Sequence, residues 1–213
     1  MIMEYKDGMR LYRLLDDVIQ YAGEKMGWGE LLSGTWNDSS GDNYAMTAYE
    51  LINGERREEI IDAYVRDRVG VRSRRDLRQV ENWKHGLAAE YILVREGADT
   101  FMYFDGHVFA VRGIMQEVDS MVAGLPAKVS CALIPFEGII TYCLGCFDLY
   151  SSDMEELDEG ARLIREAIDA RKVIRSSTMF LKTTPKIHAA WADHVDRDGK
   201  KGRTGSRPLV LRL

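Results

Sequence analysis

Cys143 and Cys146 stand three apart in the run TYCLGC, residues 141–146, the spacing of a Cys-x-x-Cys pair. Such a pair does redox chemistry when its first thiol opens a helix, where the local field lowers the thiol pKa. It binds zinc when two further ligands complete a tetrahedron. Here both residues fall inside a β-prone run, IITYCLGCF. Positions three apart in a regular strand face opposite sides, so the sulfurs diverge unless a bulge at Gly145 intervenes. Cys131 brings the thiols to three, one short of a tetrahedral set, and a hairpin turn near Glu137 would set it opposite Cys143. The expectation is sulfur that fills core space and a chain with no metal and no cofactor. Metal or redox use of Cys131, Cys143 and Cys146 is the alternative.

The histidines are His85, His107, His188 and His194. His85 falls where a helix ends and His107 just after a turn. Neither has a Ser, Cys or Asp at a telling distance along the chain, but a site assembled in space from either ring and a carboxylate would make the protein an enzyme, for instance a hydrolase. His188 and His194 flank Trp191 on different faces of a helix that Thr184 and Pro185 would start, unlike the four-apart pair of a zinc helix. The line Ile187, Trp191, Val195 reads as a docking stripe. The densest charge feature is RDRVGVRSRRDLR, with Arg66, Arg68, Arg72, Arg74, Arg75 and Arg78. Guanidinium groups so grouped suit phosphate or another anion. The competing reading pairs them with Glu58, Glu59, Asp62 and Asp76 on a solvated helix face. Asp16-Asp17, Glu58-Glu59 and MEELDE read as solvated helix surface, not as the split-pKa carboxylates of acid–base catalysis. The aromatics Tyr91, Phe101, Tyr103, Phe104 and Phe109 alternate as core residues of strands do, although a stacking surface for single-stranded nucleic acid would use the same types.

The elements that carry these residues divide by period. Met9, Tyr12, Leu15, Ile19 and Ala22, widened by Leu11, Leu14 and Val18, predict a helix over 4–25. Residues 28–43 read as a loop. Further helices are expected over 44–52 and 55–68, broken at Asn53-Gly54, and over 74–85, with Ser73 as N-cap and Gly86 as the residue past its end. The period then becomes two. Asp105-Gly106 and Glu137-Gly138 mark hairpins, with a short helix over 115–123 between them. A helix follows from Ser152 or Asp153, acidic at its start and basic at its end as the helix dipole favours. The plan is α+β: an N-terminal helical region, 1–86; a strongly bent or barrel-like antiparallel sheet of about five strands with a C-terminal helix, 87–180; and a short helix with a basic, mobile tail, 181–213.

Apolar residues make 46% of the chain and charged residues 30%, the balance of a globular protein. Net charge is −5 and the pI about 5.5, which disfavours nucleic acid as a partner for the whole surface, though not for a local patch. No run approaches the roughly 20 apolar residues of a membrane span, so no membrane partner is expected. With three cysteines and no signal-peptide core, the expected place is the cytoplasm.

The order of ENWKHG, a β-meander ending VRGI, and CALIPFEGIITY resembles a family of uncharacterised bacterial proteins. In that family a Trp-Lys helix end, a Val-x-Gly-Ile strand end and a Leu-Pro-Phe-x-Gly-x-Ile-x-Tyr hairpin follow one another. The matching residues are Trp83, Lys84, Val111, Gly113, Ile114, Pro135, Phe136, Gly138, Ile140 and Tyr142, within a similarity spanning most of 5–175. Family members often end in a SEC-C zinc-binding motif. It is absent here, and Cys143-Leu144 stands where the family tends to have Asp-Gly. The resemblance implies a scaffold and brings no activity with it. The expected role is a cytoplasmic binding or interaction module without catalysis of its own, with the enzyme and a nucleic-acid-binding protein using Arg66–Arg78 as alternatives.

Overall fold

The computed structural model describes residues 1–26, 51–52, 54, 56–149 and 153–198; the side chains of 144–148 and 192–198 lie outside the description. Helix α1, Tyr5–Met26, buries Leu11, Leu14, Leu15, Val18, Ile19 and Ala22, the apolar stripe read from the sequence. Helix α2 is Arg57–Asp67. Helix α3, Arg74–Asn82, is opened by Ser73, whose hydroxyl accepts from the Asp76 amide at 3.1 Å, and runs into a 3₁₀ turn, Trp83–His85. Gly86 does not end the helix in a left-handed conformation; its φ is −57°. It is small because a Cβ there would lie 2.5 Å from Ile52 Cγ2. The expected helix over 44–50 lies outside the described residues, while Leu51 and Ile52 are helical and buried.

Five antiparallel strands follow: β1 Leu87–Glu96, β2 Asp99–Phe104, β3 His107–Val111, β4 Ala127–Phe136 and β5 Ile139–Asp148. Their order is β3-β2-β1-β4-β5. Asp105-Gly106 and Glu137-Gly138 make two of the three hairpin turns, with positive φ at both residues, the geometry whose twist matches that of the flanking strands. The sheet curls until its ends touch: the Arg112 amide donates to Ile140 O at 3.0 Å and the Thr141 hydroxyl to Arg112 O at 2.8 Å. The outer edge of β3 is covered by Ile174, whose backbone exchanges hydrogen bonds with Val108 and Ala110, so those groups find partners within the chain.

Between β3 and β4 the expected helix over 115–123 is only a 3₁₀ turn, Val118–Met121. The chain must cross from the edge strand to beside β1, and Glu117 and Val122 on either side of the turn are extended. Helix α4, Met154–Asp169, is capped by Asp153, whose side chain accepts from the Glu155 amide. Helix α5, Ser177–Asp198, holds Pro185 in its interior, where the sequence suggested a start at Thr184-Pro185. Phe180, fully buried, anchors the turns before the proline. The Thr183 and Thr184 hydroxyls donate to the carbonyls of Met179 and Phe180 there.

Strand alternation divides the apolar side chains between two faces. Tyr91, Leu93, Met102, Phe109, Cys131 and Leu133 join a large cluster with α1, α2, α3 and α5, running from Met3 to Ile187. Ile92, Val94, Phe101 and Val108 join a smaller one with Leu157, Ala161 and Ile164 of α4. The basic tail from Gly199 lies outside the described residues.

Candidate functional site

The arginine-rich stretch forms the junction of α2 and α3. Arg68 ends α2, Val69-Gly70-Val71 turns the chain, and Ser73 starts α3. The turn is held by amide bonds from Val71 and Arg72 to Arg68 O, at 3.1 and 3.0 Å, with Gly70 at φ +83°. The six arginines find unequal partners. Arg72 donates to Asp17 Oδ2 of α1 at 2.8 Å, and Arg68 lies 3.6 Å from Oδ1 of the same carboxylate. Tyr64 also donates its hydroxyl to Asp17, and burial, with Asp17 beside it, raises the phenol pKa. Arg68 stacks over the Tyr21 and Tyr64 rings at 5.5 and 5.8 Å. Arg66 pairs with Asp67, which also faces Lys25 at 3.8 Å and takes the Tyr21 hydroxyl at 2.6 Å.

Arg75 belongs to a second network. It donates Nε and Nη2 to Glu137 at 2.9 and 2.5 Å. Arg10 of α1 spans Glu137, at 2.5 Å, and Asp76, at 2.6 Å, and lies over the Phe136 ring. The network ties α1, α3 and the β4–β5 turn together. The bonds from Arg75 and then Arg10 hold the Glu137 carboxyl below its ordinary range. At Asp76 burial pushes upward, but Ser73 and Arg10 outweigh it. Arg74 and Arg78, four apart on the exposed face of α3, have no acid partner among the described residues. Arg68 and Arg72 share one carboxylate, and Arg66 and Lys25 share another. The junction thus carries more cations than acids on a chain of net charge −5.

The histidines are scattered. His85 closes the 3₁₀ turn on the surface; partial burial and the nearby Arg57 lower its pKa. His107 donates Nδ1–H to the Asp105 carbonyl at 2.8 Å. Among the described residues neither ring is hydrogen-bonded to a carboxylate or to a nucleophile. Of the histidines with described side chains, His188 is the one set into the fold: its Nε2 donates to Gly86 O at 3.2 Å, a carbonyl that also takes Arg57 Nη1 at 3.1 Å. Burial, then Arg57, hold His188 below its ordinary value. Arg57 lies outside the 66–78 cluster, and its role here has no signal in the sequence. The side chain of His194 lies outside the described residues, as does that of Val195.

Cys131 and Cys143 are buried. The expectation that they face each other is corrected by the register. Cys131 pairs with Cys146 and Ala132 with Cys143, because an irregularity between Cys131 and Ala132 leaves Leu144 and Gly145 without partners. Cys131 lies 3.8 Å from Met102 Sδ, and burial pushes the Cys143 thiol up to about 12. Among the described residues no three His, Cys, Asp or Glu side chains gather as a metal set. The aromatic row is covered: Tyr91, Phe101 and Phe109 are buried, and Trp191 of α5 packs on Phe104 at 4.8 Å. No helix among the described residues is long and apolar enough to cross a membrane. Comparison with protein-family models, with curated proteins and with solved structures finds no match.

Proposed function

We propose that the protein is a cytoplasmic binding module, without catalysis of its own, that takes an anionic partner on the α2–α3 junction. The observation that carries this reading is the surplus of guanidinium charge there, with Arg74 and Arg78 exposed and unpaired among the described residues. Arginine remains charged at any physiological pH and offers a planar fork of donors to phosphate, sulfate or carboxylate. Arg10, Arg72 and Arg75 brace the platform through Asp17, Asp76 and Glu137, which leaves Arg74 and Arg78 as the pair to present. The chain's likeness to the uncharacterised bacterial family is part of the same proposal. Its matching residues Trp83, Phe136, Ile140 and Tyr142 are buried scaffold that would hold such a platform.

The test is heparin affinity as a function of salt. R74E/R78E should elute at markedly lower salt than the parent protein while keeping its circular dichroism and melting temperature, since neither side chain is packed. Binding that falls with rising salt is the signature of counterion release. Unchanged retention of the double variant would reject the junction as the anion site.

A further inference from the structure

Val69 and Val71 are the most exposed aliphatic side chains in the description, at 69% and 72%. They stand on either side of Gly70 at the tip of the α2–α3 turn, with Arg66 and Arg68 before them and Arg72, Arg74 and Arg75 after. Water gains nothing from this arrangement, since a valine left in solvent forgoes the transfer free energy of its methyl groups. The turn is nevertheless built to hold them out. The Val71 and Arg72 amides are both tied back to Arg68 O, and Val69 and Arg72 form an isolated bridge. Gly70, at φ +83°, takes the one conformation that a side chain would disfavour.

We infer that this turn docks on an anionic lipid surface, with the two valines entering the headgroup layer and the arginines meeting the phosphates around them. The inference rests on the anion-binding reading of the junction and names its partner. Charge complementarity alone would suit a nucleic acid or an acidic protein equally. The exposed apolar tip set among the cations decides between them. A nucleic acid backbone offers charge with no apolar layer behind it, whereas a bilayer places hydrocarbon just beneath its anions. Contact of this kind needs no spanning helix, so it stands beside the absence of one among the described residues.

Cosedimentation with vesicles tests the inference, with heparin binding measured in parallel. The parent protein should bind vesicles of equimolar phosphatidylcholine and phosphatidylglycerol and ignore vesicles of phosphatidylcholine alone. V69S/V71S should lose about ten-fold in vesicle partitioning, as expected for apolar area taken out of the interface, and keep its heparin affinity. R74E/R78E should lose both, each arginine contributing roughly five-fold at an anionic surface. If the parent protein binds heparin or a single-stranded oligonucleotide but not the anionic vesicles, the lipid inference falls and the anion-binding reading stands. If V69S/V71S partitions as the parent does, the valines have no part and the inference falls again. If neither heparin nor vesicles bind, both readings fail together.

Discussion

Cys143 illustrates how one residue's chemistry is set by its surroundings. Buried in β5 with a thiol pushed up to about 12, it holds almost no thiolate at neutral pH, and the thiolate is the reactive form. Cys131, also buried, faces a methionine sulfur. Native protein should therefore leave both thiols unmodified by iodoacetamide over a period that alkylates them fully in denaturant, as mass spectrometry of the labelled peptides would show. Rapid native labelling of Cys143 would contradict its burial. At this scale the sequence was informative about type, but its pairing of Cys131 with Cys143 did not hold. Three cysteines in β-prone runs pointed to filler. Which one faces which depends on the irregularity opposite Cys131 and Ala132, and a two-residue slip in register leaves no trace in composition. The arginine cluster was legible as a cluster. Its division into arginines that meet acids and arginines left exposed was not, because Asp17 and Glu137 are far from it along the chain and only folding brings them near.

Elements were most legible where local chemistry decides. The hairpin turns at Asp105-Gly106 and Glu137-Gly138, the Ser73 cap and the stripe of α1 all follow from interactions within a few residues. The misreadings arose where tertiary demands prevail. The stretch 115–123 has apolar residues at helical spacing but must bridge two strands, and Pro185 looked like a helix start because the anchoring of Phe180 is not visible locally. One contact between elements makes a sharp prediction. A Cβ on Gly160 of α4 would lie 2.7–2.9 Å from three atoms of Ile92 in β1, including its Cβ, which cannot swing aside. In a free helix Gly→Ala would be stabilising by about 1 kcal/mol. Here overpacking of about 1–3 kcal/mol opposes that gain, so Gly160→Ala should lower the denaturant midpoint. A raised midpoint would mean that α4 sits less closely on the sheet than described.

Across the acid range the shifted histidine and carboxyl groups act in one direction. His188 is held below its ordinary pKa, so the unfolded chain takes up a proton first as pH falls below about 6.5, and stability declines through that range. Asp76 and Glu137 are held below the ordinary carboxylate range, so the stability they confer is present at neutral pH and is lost as pH falls below about 4. Thermal melts should show a falling transition temperature on acidification. His188→Asn, which keeps a donor for Gly86 O, should flatten the decline between about pH 7 and 5, while Glu137→Gln should act only on the more acid part. An unchanged upper slope in the histidine variant would show that His188 is not the responsible group. The division of apolar side chains between the two sheet faces has a further consequence for how the protein breathes. Lifting α4 away exposes only the smaller cluster and leaves the larger one closed, so the amides of α4 should exchange with deuterium through a sub-global opening. Those of β1 and β4, at the centre of the sheet, should wait for the entire chain to unfold.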